Sequence, residues 1–389
     1  MMNIAELVDQ IYDEVVTNRR YIHQHPELSF EEFGTAAFVK QKLASYGIES
    51  TAIGNTGVVA LIHPTNSTNQ GCIALRADLD ALPIQEQSGV SFSSENPGVM
   101  HACGHDVHTA ILLGTAQLIQ SNRHLLKKSI KLIFQPGEEK LPGGASILIQ
   151  EGVLENPKVD EIVALHVFPE LESGKVGFKS GMYMASCDEI YMTVKGKGGH
   201  GAMPHQVIDP ILIASQIVVQ LQQIVSRACD PKIPCVLSFG HFEAIGATNV
   251  IPDNAVLKGT FRTMDETWRA KAHQLIHEQA TGIAKSMGGQ IDVKIDVGYP
   301  YLENNESLTS HVRTAIQTTL GNDNVVDLPI RMTAEDFSYY SQVVPACFFR
   351  LGTRNELIGA VHGVHNSQFK IDENAMKIGI SSFLSIVFN

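Results

Sequence analysis

The chain has few of the features that mark nucleic-acid-binding or membrane proteins. Its 389 residues include 29 Lys and Arg against 41 Asp and Glu, which gives a formal net charge of −12 at pH 7. An acidic surface repels phosphate backbones, so we do not expect nucleic acid as a partner. The sequence also has no basic cluster and no uncharged apolar run of about 18–20 residues, and it therefore predicts no membrane association.

The cysteines lack the spacing of a disulfide framework. Six are scattered along the chain, and none forms a C-x-x-C pair. The N-terminal stretch MMNIAELVDQIYDEVV carries acids among its apolar residues and lacks the basic-then-apolar order of a signal peptide. We therefore expect a reduced, cytoplasmic protein in which most cysteines are buried small hydrophobic residues.

The order of apolar segments predicts an α/β fold with an inserted domain. A chain of this length usually forms more than one core. Up to residue 180, short apolar runs such as CIALRAD and IKLIFQP alternate with helical stretches, which is typical of a mixed sheet between helices. Residues 181–298 follow the order strand, helix, strand, strand, helix, strand of a smaller α+β, ferredoxin-like domain. Residues 299–389 return to the α/β pattern of the larger domain, residues 1–180.

One ten-residue stretch, HACGHDVHTA, contains three His, one Cys and one Asp, all metal-ligand types. In an extended segment Cys103 and His105 would point to the same side, which is a workable spacing for chelation. Two other interpretations remain open. The histidines could be satisfied core residues, or the stretch could be a structural zinc clip. Such clips usually close with four Cys or His ligands at short spacing, and no second Cys pair follows here.

Other ligand-type side chains follow the predicted strands. In open α/β sheets, ligands bind beyond the carboxyl ends of the strands. The segments RADLDALP, FQPGEEK, ALHV and VHGVHNSQF supply Asp78 and Asp80, Glu138 and Glu139, His166, and His362 and His365, respectively. Each segment alone is weak evidence for a metal site, since charged loops are common. The set as a whole indicates one catalytic metal site.

These motifs, with GGHGAMPH, NVIPDNAVLKGTFR and AEDFSYY, resemble in sequence and order the aminoacylase-like metallopeptidases of peptidase family M20. The chain is most similar to the family's amidohydrolase subfamily, which includes hippurate hydrolases, N-acyl-amino-acid amidohydrolases and plant auxin-conjugate hydrolases. The resemblance extends over nearly the whole chain. It implies a catalytic domain that carries two metal ions and an inserted lid domain that often also dimerises.

The resemblance also implies roles for individual residues. Its pattern gives five metal ligands: Cys103, His105, Glu139, His166 and His365. His362 is the alternative to His365 as the last ligand. Glu138 matches the general base, and Asp80 matches a residue that positions the site. His200 would stabilise the oxyanion, although it could instead be a surface residue of a Gly-rich turn. Asn249 resembles the residue that holds the substrate carboxylate, or it is simply a turn residue.

The function implied by the resemblance is that of an amidohydrolase with two divalent metal ions per subunit. It would cleave the amide bond of N-acyl amino acids or small amide conjugates, with Glu138 as general base. Thiolate suits Zn²⁺, while carboxylate and imidazole also admit Mn²⁺. The alternatives are a dipeptidase or carboxypeptidase of the same family and a non-catalytic metal-dependent binding protein. The expected partners are a small-molecule substrate and a second copy bound through the inserted domain. Without metal, neighbouring histidines would lower the pKa of Cys103.

Overall fold

The protein is described by a computed structural model that covers residues 3–65 and 70–388. Its helices are α1 (Ile4–Gln24), α2 (Phe33–Ser45), α3 (His105–Ser121), α4 (Gly144–Gln150), α5 (Pro210–Gln223), α6 (Glu266–Ser286), α7 (Glu306–Leu320), α8 (Ser338–Ser341) and α9 (Ala375–Phe388). Its strands are β1 (Ser50–Ile53), β2 (Gly57–Ile62), β3 (Cys72–Asp78), β4 (Ser129–Gln135), β5 (Glu161–Glu172), β6 (Val176–Phe178), β7 (Gly181–Met184), β8 (Asp188–Lys195), β9 (Gly199–His200), β10 (Cys235–Glu243), β11 (Val250–Ile251), β12 (Asn254–Thr263), β13 (Gln290–Val297), β14 (Leu302–Asn304), β15 (Val325–Asp327) and β16 (Ala346–Arg354).

The chain folds into two units. The first contains the chain up to Gly181, Glu303–Ile330 and the chain from Asp336 onward, and the second contains Met182–Leu302 and Arg331–Glu335. The segment Arg331–Glu335 falls outside residues 181–298, the limits given by the sequence pattern. It joins the second unit because the Arg331 amide donates to the Tyr183 carbonyl at 2.8 Å, and the Arg331 carbonyl accepts from the Ala185 amide at 3.2 Å.

An eight-stranded mixed sheet forms the centre of the first unit. Its order is β1-β2-β4-β3-β5-β16-β6-β15, and the four central strands β4, β3, β5 and β16 are parallel. Strands β3 and β4 are buried along their whole length, which explains their continuous apolar sequences. Helix α3 is buried on nearly all sides, because it packs against β3 as well as α1 and α9. The predicted α/β class is confirmed.

The second unit has its own antiparallel sheet, ordered β10-β12-β8-β13, and two helices, α5 and α6, that contact it. This chain order and strand order are those of a ferredoxin-like unit, as the sequence predicts. Alternating residues of β8, including Ile190, Met192 and Val194, are buried in a core shared with helix residues such as Ile217 and Ala272. The apolar residues repeat every two positions along the strands and about every 3.6 positions along the helices, and both sets point into the same core.

One helix of the described residues, Pro210–Ala228, has the length and apolar composition of a membrane span, although 28% of its most apolar window is buried inside the protein. Its face with Ile213, Ile217 and Leu221 packs into the core of the second unit. Its opposite side exposes Leu212 and Val219. Core helices of globular domains often have such a composition, so this feature is weak support for a membrane span.

Candidate metal centre

The candidate centre lies at the carboxyl ends of three neighbouring parallel strands. Strand β3 ends at Asp78, and its partner β4 ends at Gln135, three residues before Glu138. Strand β5 continues beyond the last residue paired with β3, Ala164, and carries His166 two residues further on. Side chains far apart in the sequence therefore meet at one edge of the sheet, where open α/β sheets bind ligands.

A tight turn brings Cys103 and His105 to this edge. Gly104 has φ 82°, and a Cβ there would lie 2.6 Å from Cγ2 of Val167, so the turn requires glycine. His105 is the first residue of α3. We assumed an extended segment from Cys103 to His105 in the sequence analysis, and this assumption is wrong. The two side chains converge because the chain turns between them. Their ligand atoms lie within 4.8 Å of each other and of His166.

Two further groups extend this cluster. Cys103, Glu139 and His365 have ligand atoms within 4.8 Å of one another, as do His105, Glu138 and Glu139. Oε1 of Glu139 is 3.2 Å from Nε2 of His365, whose side chain is 53% exposed. The structure thus brings together all five residues predicted as ligands, together with the predicted base.

The alternative last ligand, His362, lies outside these groups. Within residues 3–65 and 70–388, no group of metal-capable side chains includes it. His365 adopts a left-handed backbone with φ 63°, and its amide donates to the Ala102 carbonyl at 2.8 Å. The geometry therefore favours His365 over His362 as the residue that completes the cluster.

The ring orientations of His105 and His166 suit metal ligation. Nδ1 of His105 lies 2.8 Å from the Asp80 carbonyl oxygen and 3.1 Å from its Oδ1, and Nδ1 of His166 lies 2.8 Å from the Val167 carbonyl oxygen. Each Nδ1 is thereby assigned as a donor, which leaves Nε2 as the ring atom that can bind a cation once it has no proton. Nε2 of His105 is buried and makes no hydrogen bond among the residues the structure describes. A divalent cation would satisfy this atom, so the residues present fit a metal site.

Asp80 connects several parts of the centre. Besides its contact with His105, its Oδ2 accepts hydrogen bonds from Ser29 Oγ at 2.7 Å and from the Glu139 amide at 2.9 Å. Burial alone would raise the pKa of Asp80, but these hydrogen bonds and the charge of His105 lower it below its usual range. Asp80 is thus held as a carboxylate that orients His105 and the backbone of Glu139.

Acidic neighbours dominate the electrostatics of the centre. Burial and the charges of Glu139, Glu138 and Asp78 raise the pKa of the Cys103 thiol well above its usual value. The expectation that histidines lower this pKa is wrong, because carboxylates surround the sulfur. Burial favours a neutral His105, but the neighbouring carboxylates raise its pKa to about 10. Such a concentration of buried negative charge is compensated most directly by cations.

A buried ion network behind the centre was missed by the sequence analysis. Arg76 donates to Asp78 at 2.6 Å, to Asp336 at 2.9 Å and to Gln135 at 3.0 Å. Asp78 also lies 2.6 Å from Nδ1 of His108. The one signal in the sequence is the arginine within the apolar strand CIALRAD, because a fully buried arginine requires acceptors.

His200 and Asn249 lie next to each other within the second unit. His200 in β9 is paired with Val250 of β11, and the Gly201 amide donates to the Asn249 carbonyl at 2.8 Å. Nδ1 of His200 accepts from the Ala202 amide at 3.0 Å, so its Nε2 remains as the donor. Both residues are exposed. They therefore lie on neighbouring, exposed backbone segments of this unit.

The chain is similar to known proteins over most of its length. The family model for peptidase family M20/M25/M40 matches residues 74–389. An N-acyl-L-amino acid amidohydrolase of Geobacillus stearothermophilus is 45% identical over 297 residues, which cover 76% of this chain and 79% of the relative. Thermostable carboxypeptidase 2 of Saccharolobus solfataricus is 40% identical, covering 96% of this chain and 94% of its own length. The solved structure of Bacillus subtilis YxeP, a dinuclear metal binding peptidase from the M20 family, superposes with a TM-score of 0.84 at 34% identity and 98% coverage of both chains.

Proposed function

The chain belongs to peptidase family M20, a family of metal-dependent amidohydrolases and peptidases, and we propose that it hydrolyses the amide bond of N-acyl amino acids or small amide conjugates. One observation carries this proposal: a carboxylate that is not needed as a ligand, Glu138, has an oxygen within 4.8 Å of ligand atoms of His105 and Glu139. A metal-binding protein without hydrolytic activity would not need this additional buried acid.

In this proposal two divalent cations, Zn²⁺ or Mn²⁺, bind at the centre. The residues that would hold them are Cys103, His105, Glu139, His166 and His365. Five ligands do not saturate two cations, so positions remain for water and for the substrate. When bound, such cations lower the pKa of water and polarise the amide carbonyl. The charges of the surrounding carboxylates support their binding.

Glu138 moves the proton in the proposed reaction. It is 6% exposed, and its Oε1 accepts a hydrogen bond from the Asp336 amide at 3.4 Å. Glu138 would take a proton from the attacking water and deliver it to the nitrogen of the leaving amine. Asp80 keeps His105 and Glu139 in position. In the second unit, Nε2 of His200 would stabilise the oxyanion, and the Asn249 amide would hold the substrate carboxylate.

We also propose that the protein is a cytoplasmic homodimer formed through the second unit. The exposed aliphatic side chains of α5, Leu212 and Val219, supply apolar area that a second copy could cover. A two-fold interface uses the same surface patch of both subunits, so each contact across it would occur twice. Sedimentation of the wild type and of Val219→Asp tests this assembly, because a buried charge at the interface should shift the protein to monomers.

A substrate panel tests the activity itself. N-acetyl, N-benzoyl and indole-acetyl amino acids should each be assayed against unblocked dipeptides with the same C-terminal residue, in the presence of Zn²⁺ or Mn²⁺. Our proposal predicts faster turnover of an N-acylated member of the panel. The second candidate, a carboxypeptidase or dipeptidase, is favoured by the 40% identity to a thermostable carboxypeptidase and predicts faster turnover of unblocked peptides.

A further inference from the structure

The segment between α1 and α2 contacts the loop that carries Glu138, although it contributes none of the five predicted metal ligands. Oε1 of Glu32 accepts a hydrogen bond from the Gly137 amide at 2.7 Å, and its Oε2 accepts one from Thr56 Oγ1 at 2.6 Å. Glu32 is completely buried, whereas the preceding residue, Glu31, is exposed. A buried carboxylate is costly, so its retention at this position calls for an explanation.

The backbone on both sides of this contact has an unusual conformation. Gly137 has φ 59°, and a Cβ there would collide with the ring of Phe30. Phe30 itself has φ 69°, in the left-handed region that residues other than glycine rarely adopt. Such conformations persist where the surroundings fix them, and they cluster at functional sites. Phe30 and Gly137 therefore determine each other's position.

The amides on either side of Glu138 both donate to fixed carboxylates. The Gly137 amide donates to Glu32, and the Glu139 amide donates to Asp80, which Ser29 also contacts. The segment that holds Glu32 and Ser29 thus binds the loop directly through Glu32 and indirectly through Asp80. Both amides that flank Glu138 are therefore held by side chains from outside the loop, which restricts the backbone of Glu138.

We propose that Glu32 is a positioning residue: it holds the Gly137 amide and so sets the direction in which Glu138 and Glu139 leave the end of β4. The inference rests on the proposed function for the role of Glu138 as general base. The hydrogen bond to Gly137 and the resulting order of the loop are independent of that role. Displacement of a catalytic group by about 1 Å can lower a rate about 10²-fold, so a distant tether can affect turnover strongly.

The test compares Glu32→Ala, Glu32→Gln and the neighbouring control Glu31→Ala in the full-length, metal-loaded protein. Hydrogen exchange, followed by mass spectrometry of a peptide that contains residues 137–139, reports the tether directly. Glu32→Ala should exchange at these amides about tenfold faster or more. Its kcat should fall about 10- to 100-fold with KM nearly unchanged, because the base is displaced while binding groups remain. Glu32→Gln retains an acceptor oxygen, so its exchange rate and its kcat should lie close to those of the wild type. Glu31→Ala should match the wild type in both measurements.

Glu32→Asp is a second test variant in case Glu32→Ala does not fold. It keeps the charge but is one methylene shorter, so its carboxylate should not reach the Gly137 amide, and exchange there should again be faster. If Glu32→Ala and Glu32→Asp exchange at residues 137–139 like the wild type, the proposal is overturned. An inactive wild type with faster exchange in the Glu32 variants would instead refute the proposed function and leave the tether supported.

Discussion

The sulfur of Cys103 lies 3.3 Å from Nε2 of His166, although 63 residues separate the two in the sequence. The contact joins the turn before α3 to strand β5 at the edge of the sheet. Because Nδ1 of His166 is committed to the Val167 carbonyl, the Nε2 lone pair and the sulfur face the same space. Two ligand-type atoms that share a buried space in this way are suited to a common cation.

Replacement of Cys103 by serine should weaken metal binding. A hydroxyl stays protonated at neutral pH and is a poorer ligand than a thiolate, so we expect a loss of affinity of about tenfold or more. Competition with a chromophoric chelator measures the affinity. Cys187→Ser in the second unit is the matched control and should bind metal like the wild type. Retention of full metal content and activity by Cys103→Ser would show that the sulfur is not a ligand.

The two adjacent glutamates should respond differently to substitution. Glu138→Gln should retain metal but lose turnover by about 10²-fold or more, because an amide cannot accept the proton from water. Glu139→Ala should lose metal, since its carboxylate has an oxygen within 4.8 Å of the ligand atoms of Cys103 and His365. Metal analysis of purified variants, combined with assays, distinguishes the two. The reverse pattern would mean that base and ligand are assigned the wrong way round.

Metal binding should release protons. The Cys103 thiol has a raised pKa and His105 a pKa of about 10, so both are protonated in the metal-free protein at pH 7. Both must lose a proton to act as ligands, which predicts the release of up to about two protons and an affinity that rises with pH. Calorimetry in buffers of different ionisation enthalpy counts the protons. Heats that do not depend on the buffer would contradict the assignment of these ligands.

The buried pair Asp106 and Arg19 should stabilise the fold above acidic pH. Nε of Arg19 lies 2.7 Å from Asp106, which is also 2.8 Å from Nδ1 of His23. Burial opposes ionisation of Asp106, but Arg19 and His23 hold its pKa far below the usual value. A carboxylate with a lowered folded pKa contributes stability above its unfolded pKa of about 3.9, and the contribution is lost as the pH falls toward the folded value.

Asp106→Asn should therefore lower the free energy of unfolding at pH 7 by about 3 kcal/mol, because it removes the nearer carboxylate partner of the buried Arg19 and leaves only Glu373, at 3.3 Å. The difference from wild type should shrink below about pH 4. Urea unfolding at several pH values measures it. The control is Asp9→Asn, which removes a surface pair with Lys377 and should cost at most about 1 kcal/mol. Equal losses for the two variants would contradict a special role for the buried pair.

Local patterns in the sequence predicted the elements and the residue types of the centre, but not the contacts that cross the chain. Strand β3 and the ferredoxin-like order of the second unit follow from periodicity and segment order. The partners of Arg76 do not, because Asp336 lies 260 residues away in the sequence. Glu32 was missed for the same reason, since its partner Gly137 is 105 residues away. The turn at Gly104 was missed because a ligand spacing of two residues does not specify the backbone between the ligands.

A metal titration of turnover tests the central claim most directly. Metal-free protein is mixed with increasing Zn²⁺ or Mn²⁺, and the initial rate of hydrolysis of the best N-acyl amino acid is measured at each ratio. We expect no turnover without metal and a rate that rises until about two equivalents per chain are bound. A full rate without metal, or no release of free amino acid at any ratio across the substrate panel, would contradict the account.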